Sequence, residues 1–77
     1  MINVRNKKFL LALGKHLRSI RESKGISQAQ LSYTADVSFN QIGRIERGEV
    51  NVTASTLFAI SKALEISLTE VFSFEYK

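Results

Sequence analysis

SQAQLSYTADVSFNQIGRIERG, residues Ser27 to Gly48, is the stretch whose reading decides the fold. Ser27 is followed three residues on by Gln30, and Ser38 by Gln41. In each pair the serine hydroxyl can accept the backbone N–H of the third residue, whose amide side chain returns a bond to the serine N–H. Two helix starts are thereby marked independently. Leu31 and Ala35 give the first helix an inward face, Val37 sits in the turn, and Ile42 and Ile45 give the second an apolar stripe. Only one side of that second helix is used by a core. The other carries Phe39, Asn40, Gly43, Arg44 and Arg47, a face rich in long polar groups for which a small core has no use.

The rest of the chain extends this pattern into five helices with no strand, since no alternating run is bounded by turn residues. The first is expected from Arg5 to Ser23, with Leu10, Leu13, Leu17 and Ile20 on one face and Gly25 as its left-handed stop. The second runs from Gln28 to Ala35, and the third from Phe39 to Arg47, closed by Gly48. The fourth starts after Thr53 as N-cap and ends near Leu64, with Leu57, Ile60, Ala63 and Leu64 inward. Ser67 and Glu70 form a third capping box and open a final helix carrying Leu68, Val71 and Phe72. Short connections require the helices to pack as one globule. Phe74 and Tyr76 lie past the last cap, either as a frayed end or as a docking surface. Exposed terminal aromatics are costly in water, which favours docking on a second copy, with Leu68 and Phe72 in the same interface.

With 77 residues, 44% of them apolar, the chain is expected to be a single domain over residues 1–77. A core of this size is marginal alone, so a homodimer would stabilise it. There is no cysteine, hence no disulfide framework and no thiolate metal site, which is compatible with a reducing cytoplasm. The longest apolar run, Phe9 to Leu13, is far below the roughly 20 residues that span a bilayer, so no membrane partner is expected. Lys7 and Lys8 before FLLAL imitate a signal peptide only faintly, and the segment reads as mature helix. The net charge of +4 is unevenly distributed: residues 1–24 hold seven basic groups against Glu22, and residues 25–77 hold four against six acidic. The basic segment can supply phosphate contacts or be a solvated helix face; charge alone leaves both open.

Arg21, the run Gly25 to Leu31 (GISQAQL), Val37-Ser38, Ile45-Glu46-Arg47-Gly48, Thr56-Leu57 and Ala63-Leu64 through Ser67-Leu68 stand in the order of a known signature. Over about Leu13 to Phe72 the chain resembles the Cro/repressor-type helix-turn-helix family of bacterial and phage transcriptional regulators. The resemblance implies an all-α, five-helix domain of the lambda-repressor-like type. It further implies that the third helix enters the major groove of double-stranded DNA while the second lies across the phosphates. It also implies a structural ion pair between Arg21 and Glu46. Restriction-modification controllers, phage repressors and antitoxin-like autorepressors all fit. Three positions depart from the pattern: Ser32 where Ala is usual, Asp36 where Gly is usual in the turn, and Glu65 where Gly or Asn is common. Asp enters the left-handed region at modest cost, so the turn should survive.

On this reading Phe39, Asn40 and Arg44 are the candidates for base contacts. Arg44 suits guanine O6 and N7, Asn40 suits adenine N6 and N7, and Phe39 suits a thymine methyl, with packing under the second helix as its competing role. Backbone contacts are assigned to Ser27 and Gln28 at the start of the second helix and to Ser38, Gln41 and Arg47 on the third. Asn51 and Thr53 in the following loop are assigned the same role, with Glu49 pointing away. Gly43 suits close approach to the sugar–phosphate wall. Arg18 and Lys24 add attraction or are merely solvated, and His16 reads as a surface residue. No metal cluster, phosphate-cradling glycine loop or nucleophile–base pair is legible, so no cofactor, small-molecule ligand or catalysis is expected. Two rival classes remain: an interaction module that uses Phe39, Phe58 and the aromatic tail, and a nonspecific nucleic-acid binder driven by the N-terminal charges.

Overall fold

Five side-chain oxygens set the five helix starts. In the computed structural model, which describes residues 5–76, Asn6, Ser27, Ser38, Thr53 and Ser67 accept the backbone N–H groups of Phe9, Gln30, Gln41, Thr56 and Glu70. They open α1 (Lys7–Ser23), α2 (Gln28–Ala35), α3 (Phe39–Glu46), α4 (Ala54–Leu64) and α5 (Leu68–Val71). The reciprocal bond of a capping box closes at Ser27, whose N–H donates to Gln30 Oε1 at 2.8 Å. At Ser38 and Ser67 the forward bond forms. The expected architecture is the observed one, all-α with five helices, and only the ends move. Asn6 rather than an earlier residue caps α1, which leaves Arg5 outside the helix. Arg47 is the C-cap of α3 and not its last helical residue.

Each of α1 to α4 is followed by a left-handed residue. Gly25 and Gly48 adopt φ of 70° and 71°, while Asp36 and Glu65 reach φ of 57° and 58° with ordinary side chains. Asp36 accordingly fills the turn between α2 and α3 as expected, its N–H bonded to Ser32 O. After α3 the chain closes with a paired motif, Gly48 N–H to Ile45 O and Glu49 N–H to Arg44 O, which turns Glu49 back beside the last helical turn.

Leu13, Leu17, Leu31, Ala35, Ile42, Ile45, Leu57, Ile60, Leu64 and Val71 form one core cluster. α3 packs on α1 and α2, α2 also packs on α4, and α5 joins α4 to α1. The approach of α1 to α3 is closest at Gly14. A Cβ there would sit 2.6 Å from Glu46 O and against Ile45 O as well, so only glycine allows the two backbones to meet. Gly48 faces Leu11 in the same way, a Cβ falling 2.8 Å from the Leu11 Cα.

The aromatic tail folds onto its own α1. Phe74 is half-buried with its ring 5.8 Å from that of Phe9, and Tyr76 meets Phe9 edge-on at 5.3 Å. His16 is half-buried rather than free on the surface: its ring lies 5.3 Å from Phe74, and its Nε2 lies 2.7 Å from Glu70 O. A carbonyl oxygen only accepts, so Nε2 carries the hydrogen in this contact. Phe74 and Tyr76 thus find their first partner within the chain, which sequence reasoning had assigned to a second copy. Leu68 and Phe72 remain exposed.

Candidate nucleic-acid interface

α3 is held to the scaffold by a buried ion pair. Arg21 Nε and Nη2 donate to the two carboxylate oxygens of Glu46 at 2.7 and 3.0 Å, and both side chains are more than nine-tenths buried. Arg21 Nη1 donates to Ile26 O at 2.8 Å, and Gln28 Nε2 donates to Glu46 Oε1 at 2.9 Å. One carboxylate therefore ties the end of α1, the entry to α2 and α3 together. The hydrogen bond to Glu46 raises the Arg21 pKa above its ordinary value, against the opposing effect of burial.

With Ile42 and Ile45 turned into the core, the opposite face of α3 is left to solvent. Phe39 is 54% exposed, Asn40 and Arg44 are exposed, and Gln41 is half-buried. Phe39 lines an open groove together with Arg18, Ser27, Gln28, Ala29 and Arg47. The start of α2 belongs to this groove, where the first-turn N–H groups lack helical partners and attract anions. Gln28 is partly committed: one amide hydrogen is on Glu46, which fixes the side chain and leaves the second for a phosphate. Ser27 and Ser38 accept cap bonds through oxygen, which leaves each hydroxyl hydrogen available to donate.

Three expectations change. Thr53 engages its hydroxyl at the N-cap of α4, accepting from Thr56 N and pairing with Thr56 Oγ1 at 3.0 Å, so a phosphate would compete with these contacts. Asn51 is exposed beside it. Glu49 does not point away. Its carboxylate receives Arg47 Nε at 2.8 Å and Nη2 at 3.3 Å and lies 3.9 Å from Arg44 Nε. The bond with Arg47 lowers the Glu49 pKa and raises that of Arg47. Finally, the space over Gly43 is covered by the Arg47 guanidinium, 2.9 Å from where a Cβ would stand. Gly43 thus makes room for Arg47 to lie against α3.

A capped, outward-facing α3 behind a second helix whose N-terminus faces the same groove is the geometry of a helix-turn-helix, and a helix-turn-helix family model matches residues 17–71. The chain belongs to the helix-turn-helix family. The control protein C.SmaI of Serratia marcescens is 39% identical over 59 residues, covering 77% of this chain and 70% of that protein. The transcriptional regulator PuuR of Escherichia coli is 36% identical over 63 residues, 82% of this chain but 34% of PuuR. Among solved structures, the restriction-modification controller C.AhdI of Aeromonas hydrophila superposes with a TM-score of 0.82 at 33% identity, covering 83% of this chain and 97% of that one. The family match encloses α2, α3 and α4, so each candidate contact from Ser27 to Thr53 lies on the shared scaffold.

Sequence reasoning missed Gly14, His16 and the inward turn of Glu49. A glycine inside the apolar stripe Leu10, Leu13, Leu17 was a visible signal of close packing. Nothing in the sequence around Glu49 distinguishes a carboxylate folded onto Arg47 from a solvated one.

Proposed function

We propose that this helix-turn-helix regulator binds a specific, pseudo-palindromic DNA operator as a homodimer and acts as an autoregulatory controller of the restriction-modification type. The observation that carries the reading is the outward face of α3, with Phe39, Asn40 and Arg44 in solvent and Ile42 and Ile45 in the core. That face suits a partner with hydrogen-bonding edges, and the major groove provides one. Arg44 reads guanine, Asn40 reads adenine and Phe39 meets a thymine methyl. Ser27, Gln28, Ser38, Gln41, Arg47 and Asn51 hold the phosphates on either side. Residues 1–77 act as one DNA-binding domain in the cytoplasm, where duplex DNA is at hand. The controller subtype is supported by C.SmaI and C.AhdI, which are named as controllers.

The test is selection from a random duplex pool, followed by titration of the selected and scrambled duplexes across a salt series. The reading expects a two-fold related site with half-sites about one helical turn, roughly 34 Å, apart. It expects affinity for that site on the order of 10³-fold or more above scrambled DNA. Equal binding to both would make the chain a nonspecific binder. No binding to either would leave the interaction-module reading.

A further inference from the structure

Among the described residues, Glu49 is the acidic group placed against Arg44 of α3 and its C-cap Arg47. Its backbone is fixed at both ends: its N–H is bonded to Arg44 O at 2.9 Å, and its carbonyl receives Arg5 Nη2 at 2.6 Å. Helix stability does not explain a carboxylate here. The C-terminal end of a helix is its negative pole, where an anion is unfavourable and a cation is preferred. The favourable partners of this carboxylate are Arg47, through two hydrogen bonds, and Arg44 at 3.9 Å. All three side chains are about half exposed, so an incoming phosphate can reach the guanidinium groups and displace the carboxylate.

We infer that the Glu49 carboxylate is an internal competitor of the DNA phosphates, holding Arg47, and more loosely Arg44, in the free protein and so restraining attachment to arbitrary duplex. The inference rests on the DNA-reading function proposed above. Nonspecific binding is supplied essentially by cation–phosphate contacts, so a carboxylate that must first be displaced acts on that term. Displacement also leaves Glu49 bare, and it recruits a cation from solution. This offsets about one of the counterions released from the duplex and flattens the salt dependence.

The experiment compares the full chain with Glu49→Gln, Arg47→Met, the Arg47→Met/Glu49→Gln double variant and Glu65→Gln, a charge-matched control at the α4–α5 turn. Each is titrated with scrambled duplex and with the selected operator over a salt series. Glu49→Gln is expected to bind scrambled duplex about two- to fivefold more tightly at low salt, the scale of one exposed ion pair. Its log–log salt slope is expected to steepen by about one. In the Arg47→Met background the same Glu49 change should have a clearly smaller effect, that of the looser Arg44 contact, and Glu65→Gln should show a smaller gain than Glu49→Gln. An unchanged or weakened Glu49→Gln overturns the inference, as does an equal gain from Glu65→Gln or a gain that survives undiminished without Arg47. If the unmodified chain still prefers its operator in those cases, the DNA reading stands without it. An unmodified chain that binds no duplex overturns both.

Discussion

Arg21 and Glu46 stand 25 residues apart in sequence and share two hydrogen bonds in the structure, with Gln28 adding a third to the same carboxylate. Removing one partner leaves the other charged and buried. Arg21→Met is therefore expected to cost about 3–5 kcal/mol, as for other broken buried pairs. That is a large share of the roughly 4–12 kcal/mol available to a chain of this length. Urea unfolding measures it, and a loss under about 1 kcal/mol would show the pair to be solvated. Arg44 belongs to the other side of the helix and should behave oppositely. Arg44→Ala is expected to leave stability within about 0.5 kcal/mol, as for an exposed position. It should also lose about 1–3 kcal/mol on the operator and relax preference at one base pair. Equal losses on operator and scrambled DNA would make Arg44 a phosphate ligand. At this scale the sequence is legible where the chemistry is local. The N-cap roles of Ser27, Ser38, Thr53 and Ser67 need only residues three positions on. His16 on Glu70 O and Glu49 on Arg47 depend on how distant helices meet or how a loop is turned, and periodicity carries no such information.

Elements were the most readable level, because a cap, an apolar stripe and a left-handed stop together bound a helix on both sides. The errors at the ends of α1 and α3 were of one or two residues and trace to Asn6 and Gly48. What the pattern could not give was the distance between elements. α1 and α3 meet at Gly14, where backbone lies against backbone. Alanine is intrinsically better than glycine in a helix interior by about 1 kcal/mol, so propensity alone makes Gly14→Ala stabilising. The clash with the Ile45 and Glu46 carbonyls reverses the sign, since neither backbone atom can rotate away. We expect Gly14→Ala to destabilise by about 1–3 kcal/mol, the usual cost of overpacking. It should also weaken operator binding, because α3 is the element displaced. A raised melting temperature would show that the two helices separate at no cost.

At the scale of the whole molecule, the proposed homodimer would draw on the apolar surface left over after folding. Leu68 and Phe72 are each 48% exposed and lie four residues apart, on one face at α5. α5 has four residues and cannot hold a helical turn on propensity alone. Phe74 has already been used by the chain itself, packed on Phe9 and His16. The two kinds of aromatic should therefore separate in experiment. Phe74→Ala is expected to lower stability by about 1.5–2.5 kcal/mol, half the range for a fully buried phenylalanine, with self-association of the folded chain little changed. Leu68→Lys with Phe72→Lys is expected to leave the monomer folded and to weaken the proposed dimer by about 2 kcal/mol or more, as for the loss of an interface anchor. Operator affinity should fall with it, because each half-site then binds alone. Sedimentation equilibrium decides the matter: an unchanged dimer constant in the lysine variant would move the interface away from α5, and a dimer lost in Phe74→Ala with stability intact would return it to the tail.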